Sequence, residues 1–495
     1  MRALSPSPER PDKPLCPPRF ACAKTAVSRY YIPMLAAALN LAEHDELVAF
    51  VGGGGKTSLM FALASALGPG VVVTTTTRIF AVQMKLATAV CFAHAKDATA
   101  ARQQPHLVEL PNVGDLSRLD EFLARFGSCL VVGQVEGEKA FGVPPELPQQ
   151  LLAHPGVRHV LVEADGSRMR PIKAPAAHEP VIPSATTLVV PVVGMDALAA
   201  PLAEVAHRPE RIQAIIKQQS SVTLTPPMVA TLLTHPQGGM KDVPPGARVI
   251  PVINKVETAV QLAAARQIAT AVLRHPQTTA QIPQVVLTAV KSEQPVREIH
   301  RRVAAVVLAA GESRRMGAAN KLLLPWGKTT VLGQVLAEVG ETAVYDTLII
   351  TGHEADTVAQ IAAAHGMAAV HNPQYAAGEM LSSLQTAVRQ LPPHVDAVLV
   401  ILADQPLVTA AMMELLLAAY WQGTHDLIAP VYQGQRGNPV LIGRRFFSEL
   451  LALPPGAAPR HLLRRHAAEL HLVPMPDDAI LLDMDDREAY ERIRP

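Results

Sequence analysis

Residues 303–323 read VAAVVLAAGESRRMGAANKLL, and residues 47–60 read LVAFVGGGGKTSLM. In each stretch, a short and continuous apolar run leads into a turn that carries glycine and basic residues. Continuous runs of Val, Leu and Ala are typical of parallel strands that helices cover on both faces. Glycine at the carboxyl end of such a strand lets backbone amides approach an anion closely. The two stretches therefore predict two α/β domains, each with an anion-binding turn.

Further apolar runs repeat this alternation of strands and helices on both sides of a charged stretch near residue 295. The runs span 71–77, 129–134, 159–164, 188–193, 249–254 and 284–290 in the first half, and 347–352, 368–372, 397–404 and 427–432 in the second. The pattern predicts an α/β fold with four parts. These are a disordered proline-rich tail over 1–30, a P-loop-like parallel domain over 31–292, a linker over 293–302 and a Rossmann-like domain over 303–495.

The composition excludes several classes of protein. The 495 residues include 44 Lys and Arg against 43 Asp and Glu, a net charge of +1, so nucleic acid is not an expected partner. No uninterrupted apolar run reaches the length of about 18 residues that a membrane span needs. The four cysteines, Cys16, Cys22, Cys91 and Cys129, follow no disulfide or zinc spacing, which favours the reducing cytoplasm.

The turn after the run at 303–310 concentrates positive charge beside a glycine. Gly311 is followed by Arg314, Arg315 and Lys321. Backbone amides and cations placed together in this way suit a triphosphate. The turn contains neither the G-x-G-x-x-G dinucleotide fingerprint nor a Walker G-K-[ST] sequence. An ordinary basic loop between a strand and a helix is the alternative.

Three blocks of the second half resemble the signatures of the MobA-like nucleotidyltransferases, which build molybdenum cofactor dinucleotides. The blocks are LAAGESRRMGAANKLL (308–323), VLVILADQP (398–406) and LLDMDDREAY (481–490). The resemblance covers residues 303 to about 493. It implies a GT-A-like nucleotidyltransferase fold for the Rossmann-like domain.

The same resemblance assigns roles to individual residues. It implies that Arg315, Lys321 and Asp404 are catalytic, and that Asp404 and Asp485 hold Mg²⁺. The implied nucleotide-binding residues are Leu308, Ala309, Ala310, Gly311, Arg314, Arg315, Lys321, Ser382 and Ser383. Nucleotidyl transfer independently requires a metal and cations that take up negative charge during in-line attack on the α-phosphorus.

The acidic positions leave alternatives open. Asp404 precedes Pro406 and could instead cap the start of a helix. Asp483 and Asp486 compete with Asp485, because the Thr-Pro that follows the second aspartate in the family is absent here. The register of the family motif favours Asp485.

Two further segments resemble substrate-facing parts of the same family. Ser382 and Ser383 lie in GEMLSSLQTAV (378–388), which resembles a turn near the base and ribose. This segment could also be a capped helix start. Asn438, in RGNPVLI (436–442), is a candidate on the acceptor side.

The sequences LAAG and NKLL within the first block are similar to the cytidylyl branch of the family, whereas the guanylyl branch usually has LAGG and DKGL. The resemblance therefore implies CTP and molybdenum-loaded molybdopterin as substrates. The products would be molybdopterin cytosine dinucleotide and pyrophosphate, for hydroxylases of the xanthine dehydrogenase type. The alternatives are a guanylyl donor, another phosphate acceptor, or a non-catalytic chaperone that carries the finished cofactor.

The first domain has its own candidate phosphate turn. Its predicted nucleotide-binding residues are Gly52, Gly53, Gly54, Gly55, Lys56, Thr57 and Asp165. In a P-loop the lysine neutralises phosphate and the hydroxyl can ligate Mg²⁺. The full motif needs a glycine where Phe50 stands, and a flexible strand-to-helix turn is the alternative. The run at 159–164 is followed by Asp165, which could bind magnesium through water; the alternative is that Glu163 or Asp165 merely caps the following turn.

Two other segments of the first domain carry candidate binding groups. VINKVE (252–257) resembles the guanine-reading N-K-x-D motif of GTPases, but Glu257 replaces the aspartate. TTTTRIF (74–80) offers hydroxyl groups near the same sheet edge, and a β-branched strand end is the alternative. The sequence therefore leaves open whether ATP or GTP binds this domain.

Four blocks resemble the YqeC-like accessory proteins of selenium-dependent molybdenum hydroxylases. They are VGGGGKTSLM, VTTTTRIF, VEADGSRMRPIKAPAAHEPVIP and VVGMDALAAPLAEVAHRPE, within about residues 35 to 290. Arg78 stands where a histidine is frequent in that family. The resemblance implies a nucleotide-dependent helper in the maturation of the cofactor or of a molybdenum hydroxylase partner.

Overall fold

A computed structural model describes residues 34–41, 44–219, 221–312 and 320–495, except for the side chains of 377–379. Within these residues the chain forms an eleven-stranded sheet in its first half and an eight-stranded sheet in its second half. Apolar side chains from the strands pack against helices in separate clusters on the faces of each sheet. The predicted α/β class with parallel sheets is confirmed.

The strands of the first half contribute to the large sheet and to two small ones. They are β1 (Glu46–Gly52), β2 (Val71–Thr75), β3 (Arg78–Phe80), β4 (Val90–Phe92), β5 (Val113–Asp115), β6 (Ser128–Val132), β7 (Val135–Glu136), β8 (Lys139–Phe141), β9 (His159–Glu163), β10 (Ile172–Lys173), β11 (Leu188–Gly194), β12 (Ala206–His207), β13 (Arg248–Val249), β14 (Val252–Asn254), β15 (Val285–Thr288) and β16 (Val296–His300). The helices are α1 (Lys56–Leu67), α2 (Ala95–Arg102), α3 (Leu119–Phe126), α4 (Leu147–Leu152), α5 (Leu202–Val205), α6 (Pro209–Ile216), α7 (Pro226–Thr234) and α8 (Ala259–Leu273).

The large sheet has the order β16-β15-β14-β11-β1-β9-β2-β6-β4-β5, and β13 pairs with β11. Its pairs are parallel except for β15 with β16. β1 lies between β9 and β11, and its residues are buried up to the glycine turn. Because helices cover both faces, such a strand has no polar side, which explains the continuous apolar runs.

The second half continues with β17 (Val303–Ala309), β18 (Pro325–Trp326), β19 (Thr329–Thr330), β20 (Asp346–Thr351), β21 (Ala368–His371), β22 (Ala397–Leu402), β23 (Leu427–Tyr432), β24 (Gln435–Arg436), β25 (Val440–Gly443) and β26 (His471–Pro474). Its helices are α9 (Val331–Gly340), α10 (Ala355–Ala364), α11 (Tyr375–Gln390), α12 (Ala410–Trp421), α13 (Phe447–Ala452), α14 (Arg460–Arg465) and α15 (Arg487–Ile493). The sheet order is β21-β20-β17-β22-β25-β23-β24, with β26 on β23. The first four strands are parallel and β25 is antiparallel to both neighbours.

Each predicted apolar run coincides with a strand, with two differences of detail. The run at 249–254 is divided into β13 and β14 around Pro251, which has no backbone N–H to donate to a neighbouring strand. Residues 296–300, within the predicted linker, form β16 and pair antiparallel with β15. Val296 and Ile299 pack into the core beneath this edge. The charged stretch between the two halves is therefore largely an edge strand.

The two halves contact each other at the amino-terminal edges of their sheets. The indole of Trp421 stacks on the ring of His300 with centroids 4.1 Å apart. The guanidinium of Arg302 donates to the carbonyl of Leu273 at the end of α8, and its backbone N–H donates to Asp396 just before β22. Both glycine-containing turns follow the carboxyl ends of their strands, at the opposite edges. Each turn is therefore separated from the interface by the length of its own sheet.

No helix among the described residues combines the length and the apolar character needed to cross a lipid bilayer.

Candidate functional site

The carboxyl end of β17 opens into a cavity of about 430 Å³ in the second half. The predicted residues that line it are Leu308, Ala309, Ala310, Gly311, Lys321, Ser383 and Asp404. Arg314 and Arg315 were also predicted to bind phosphate, and they lie outside the described residues. Tyr375 and Met380 from α11 complete one wall of the cavity. The sheet thus brings residues from three distant segments of the chain to one opening.

Lys321 lies between two of the predicted acids. Its Nζ is 2.5 Å from Oδ2 of Asp404 and 3.4 Å from Oδ1 of Asp485. Burial favours the neutral amine, but the charges and hydrogen bonds of Asp404 and Asp485 together outweigh it and raise the pKa of Lys321. The lysine is therefore held charged, and two carboxylates converge on one cationic centre.

The competing acids have different environments. Asp486 accepts a hydrogen bond from the N–H of Ala489 at 2.8 Å and so caps α15. Burial, followed by the charges of Asp485 and Asp404, raises the pKa of Asp483. Asp404 is not a helix cap, because the side chain that caps α12 belongs to Thr409. The geometry therefore favours Asp404 with Asp485 as the pair that faces a shared cation.

The donor set of this pair fits Mg²⁺. Two carboxylates already lie around one cation, and Mg²⁺ takes hard oxygen ligands while keeping several water molecules. In the described part of the chain, no three His, Cys, Asp or Glu side chains gather as a complete protein metal site would require. The pair is therefore suited to a cation that phosphate oxygens and water complete.

The predicted serines lie inside α11 rather than at its start. The side chain of Asn372 donates to Oγ of Ser382 at 2.8 Å and to Oγ of Ser383 at 3.0 Å. All three residues are buried, and Ser383 lines the cavity. Sequence reasoning missed Asn372, although an asparagine before proline directly after β21 is a detectable signal of a turn.

A second cavity of about 390 Å³ adjoins the first, since Met380 and Leu402 line both. Asn438, predicted on the acceptor side, lines this second cavity. Arg436 and Arg460 line it as well, in otherwise apolar surroundings. The second half thus offers two neighbouring compartments, with Lys321 and Asp404 in the first.

In the first half, the glycine turn packs tightly against neighbouring backbone. The N–H of Gly52 donates to both oxygens of Asp165, at 3.1 and 3.0 Å. The N–H groups of Gly53 and Gly54 donate to the carbonyls of Val192 and Arg170. These three amides therefore already have partners within the protein. The first amides of α1, which begins at Lys56, have no acceptor within the helix and are the ones suited to an anion.

Asp165 is the acid predicted to bind magnesium through water, and Glu163, two residues earlier, has different surroundings. Oε2 of Glu163 accepts a hydrogen bond from the hydroxyl of Thr57 at 3.0 Å. Asp165 pairs with Lys56 at 3.0 Å and with Lys173 at 3.0 Å, and it is turned into the protein beneath the turn. Burial raises the pKa of Glu163. Glu163 is therefore the acid beside the predicted metal-binding hydroxyl, and Asp165 holds the turn.

A network of ion pairs extends from the buried Asp165. Lys173 also contacts Oε2 of Glu179 at 2.7 Å, and Arg208 contacts the same oxygen at 2.6 Å. Burial acts to raise the pKa of Glu179, but hydrogen bonds from Arg208 and Lys173 lower it to about 2. Sequence reasoning missed this network, although its members lie in two of the blocks that resemble the YqeC-like proteins.

Above the turn lies a cavity of about 910 Å³ that is rich in positive charge. Its basic residues are Lys56, Arg78, Lys139, Arg168, Arg208, Lys255 and Lys291. Its acidic residues are Glu163, Glu179 and Glu257. Such an excess of cations focuses a positive field in a cleft and favours an anionic ligand.

Two family profiles match the chain, one in each half. The profile of the YqeC protein family matches residues 48–210. The profile of the MobA-like NTP transferase domain matches residues 305–470.

Individual relatives agree with this division. "Uncharacterized protein YqeC" of Escherichia coli (strain K12) is 32% identical over 221 residues, which are 44% of this chain and 78% of that protein. Molybdenum cofactor cytidylyltransferase of the same organism is 24% identical over 187 residues, 37% of this chain and 92% of that protein. Among solved structures, the Mycobacterium sp. strain JC1 homologue of Mycobacterium tuberculosis Rv0371c is 29% identical, with a TM-score of 0.35. The match covers 39% of this chain and 94% of that one.

Proposed function

The chain belongs to the YqeC family and carries a MobA-like NTP transferase domain, and on this basis we propose its specific reaction. The second half makes the protein a nucleotidyltransferase enzyme. We propose that this domain, over residues 303–495, transfers CMP from CTP to molybdenum-loaded molybdopterin. The first domain, over 31–292, is proposed as a nucleotide-binding accessory module for a molybdenum hydroxylase.

One observation carries the proposed reaction. Lys321 lies between Asp404 and Asp485 in a cavity that adjoins a second compartment. The first cavity suits a nucleoside triphosphate, and the second, with Arg436 and Arg460, suits an acceptor that ends in a phosphate. A group is transferred efficiently when both reactants are held side by side.

In the proposed reaction, a phosphate oxygen of the acceptor attacks the α-phosphorus of CTP in line. The bond between the α-phosphorus and the bridging oxygen breaks, and pyrophosphate leaves. Asp404 and Asp485 would hold Mg²⁺, which supplies positive charge at the phosphates when bound. Lys321 stays charged and neutralises the phosphate oxygens, and backbone groups from Leu308 to Gly311 position them.

CTP is proposed because LAAG (308–311) and NKLL (320–323), around the turn after β17, are similar to the cytidylyl branch. The acceptor is proposed because a relative over this half is named a molybdenum cofactor cytidylyltransferase. A guanylyl donor, another phosphate acceptor and a non-catalytic chaperone are the alternatives that the experiment below separates.

The first domain is proposed to bind the phosphates of ATP or GTP at the amino end of α1, in a P-loop-like manner. The observations in support are the basic cavity, the contact of Lys56 with the turn, and the pairing of Thr57 with Glu163. Thr57 and Glu163 are hard oxygen donors and would be the residues nearest a magnesium ion at this site. The proposed role is maturation of a hydroxylase of the xanthine dehydrogenase type.

The test measures pyrophosphate release from CTP, GTP, ATP and UTP with Mg²⁺ and molybdenum-loaded molybdopterin, for the wild type and for Lys56→Ala. We expect release with CTP, unchanged in Lys56→Ala because that residue belongs to the first domain. Release with GTP instead would assign the guanylyl branch. No release with any nucleotide, when the acceptor is active in a known cytidylyltransferase, would overturn the proposed reaction.

A further inference from the structure

The segment from Asn254 to Glu257 has no role in the function proposed so far. It follows β14, and Asn254, Lys255 and Glu257 all line the 910 Å³ cavity. The chain leaves the strand abruptly, since Lys255 has a positive φ of 64°. A non-glycine residue in this region is strained, and such strain is concentrated at functional sites. The segment is therefore a candidate for ligand recognition beside the phosphate turn of the first domain, residues 52–55.

Asn254 connects this segment to the turn. Its Nδ2 donates to the carbonyl of Gly54 at 2.8 Å, and its Oδ1 accepts from the hydroxyl of Thr288 at 3.1 Å and from the N–H of Val290 at 3.3 Å. The side chain is buried, so it is fixed relative to the phosphate turn. An amide nitrogen carries two N–H groups, and the bond to Gly54 uses one. The other can donate to a ligand that occupies the cavity.

Glu257 adds an acceptor to the same region. Glu257 is exposed and lines the cavity. Its carboxylate makes no hydrogen bond or ion pair with the residues that the structure describes. The neighbouring ammonium of Lys255 pairs with Asp196 at 2.5 Å instead. A free carboxylate presents two acceptor oxygens side by side, which match a ligand edge with two adjacent N–H donors.

Among the common nucleobases, guanine presents that edge, with N1–H beside the 2-amino group. Adenine presents a bare nitrogen at N1, which a carboxylate repels. We infer that the first domain selects a guanine nucleotide, with Glu257 accepting from N1–H and the 2-amino group. Asn254 donates to a ring nitrogen on the other side of the base. This inference rests on the proposal that the first domain binds a nucleotide by its phosphates.

The size and charge of the cavity agree with this assignment. At about 910 Å³ it is roughly twice the 430 Å³ cavity proposed for CTP in the second half, so a purine nucleotide fits with space remaining. The cavity also carries seven Lys and Arg side chains against three Glu side chains, which suits a triphosphate at one end.

The test is equilibrium binding of a fluorescent, ribose-labelled GTP to the full chain, displaced by unlabelled GTP, ATP, CTP or xanthosine triphosphate. The signal assigned to the first domain is the part that Lys56→Ala removes and Asp404→Asn retains. We expect GTP to displace it at least ~10-fold more tightly than ATP, because a site built to accept two N–H groups rejects a base without them.

Glu257→Gln gives a readout that a purely structural role could not produce. The glutamine amide would donate to the carbonyl at C2 of xanthine, where guanine has its amino group. We expect this variant to bind GTP at least ~10-fold more weakly and xanthosine triphosphate more tightly than the wild type. Glu146→Gln removes the same charge from an exposed position of the first half away from the cavity, and should change neither affinity.

Two results would overturn the inference in distinguishable ways. If the Lys56-dependent signal is displaced equally by ATP and GTP, guanine selection is wrong, whereas nucleotide binding by the first domain stands. If no nucleotide gives a Lys56-dependent signal, both proposals for the first domain fail.

Discussion

Glu163 and Asp165 are two residues apart, yet their side chains have different contacts. Asp165 accepts a bifurcated hydrogen bond from the N–H of Gly52 and pairs with Lys56, so its oxygens are used in holding the turn. Glu163 faces the cavity and accepts from Thr57. A sequence motif places both acids at the end of one strand, and only their contacts distinguish them. The assignment of Asp165 to the nucleotide site remains a prediction. Its contacts are those of a residue that supports the glycine turn, not of one that binds the ligand directly.

The proposed metal-binding role of Asp404 predicts that a substitution which hardly changes the shape of the side chain causes a large loss of activity. Asp404→Asn keeps the shape of the side chain and removes the charge that faces Lys321 and the proposed metal. We expect the initial rate of pyrophosphate release at saturating CTP to fall by about 10²- to 10³-fold. Glu341→Gln removes a charge from an exposed helix end of the same half and should leave the rate unchanged. A rate in Asp404→Asn within about twofold of the wild type would contradict the metal assignment.

The low pKa of Glu179 predicts an acid-dependent contribution to stability. Its carboxyl titrates at about 2 in the fold against an ordinary value of 4.5. The folded state therefore holds fewer protons than the unfolded state between these values, so the stabilisation is complete above pH 4.5 and is lost as the pH falls towards 2.

Glu179→Gln should remove this contribution. We expect the variant to unfold in urea with about 1–3 kcal/mol less free energy at pH 7, because the buried Lys173 and the partly buried Arg208 lose a charged partner. The difference from the wild type should shrink between pH 4.5 and pH 3. A difference that stays constant over this range would show that the ionic network does not act through the charge of Glu179.

Individual site residues were predictable to different extents. Lys321 and Asp404 could be predicted as site residues from the sequence. Each lies in a contiguous block that resembles a family signature, Lys321 after the turn that follows β17 and Asp404 directly after the end of β22. Lys173, Glu179 and Arg208 could not be predicted, because a short strand, a loop and a helix start supply them, and these three positions have no periodic relation in sequence. Asn372 holds both predicted serines from a neighbouring strand end, a contact that only the folded sheet produces.

At the scale of elements, the glycine turn before α1 shows how close packing and left-handed backbone act together. Gly54 has a φ of 74°, and a Cβ there would lie 2.1 Å from the backbone nitrogen of Gly194. Gly137 has a φ of 55°, and a Cβ there would meet nothing within 4 Å. The two positions therefore share the backbone requirement and differ in the available space.

Alanine at these positions separates the two effects. Gly137→Ala should cost about 1 kcal/mol, the penalty for a left-handed backbone alone. Gly54→Ala should cost about 3 kcal/mol or more, because backbone atoms must move as well. Thermal melting of the full chain measures both. Equal losses would indicate that the turn can move away from β11 without penalty.

The elements themselves were largely predictable, and β16 is the informative exception. Buried parallel strands appear as unbroken apolar runs, which is why the runs and the strands coincide. β16 carries Glu298, which is buried but paired with Arg266 and His300. A strand that contains a charged residue has the sequence pattern of a linker. The residues that pair with the charge cannot be identified before the fold is known, so its burial cannot be predicted.

At the scale of the molecule, the two sheets meet at their amino-terminal edges. The two candidate sites follow the carboxyl ends of the strands and are therefore separated from each other by both sheets. A ligand released by one site must cross solvent, or travel on a partner protein, to reach the other. Fusion of the two halves thus fixes their ratio, and the contacts at the interface fix their orientation.

The interface predicts coupled unfolding of the two halves. Trp421 is 2% exposed and stacks on His300 from the other half. Trp421→Ala should cost about 3–5 kcal/mol and separate one melting transition into two. Trp326→Ala removes the other buried tryptophan, which packs within the second half near Val331 and Met484. It should lower stability without separating the transitions, and an identical melting profile for the two variants would contradict the interface role.

In the proposed reaction, the second half moves CMP from CTP onto a phosphate of molybdopterin. The most direct measurement follows CTP labelled at the α-phosphorus, incubated with the full chain, Mg²⁺ and molybdenum-loaded molybdopterin, and quantifies the labelled product beside pyrophosphate. This reaction gives one labelled dinucleotide for each pyrophosphate released, and no labelled dinucleotide in the absence of acceptor. Pyrophosphate release with the label recovered as free CMP, or no label transferred to an active acceptor, would contradict it.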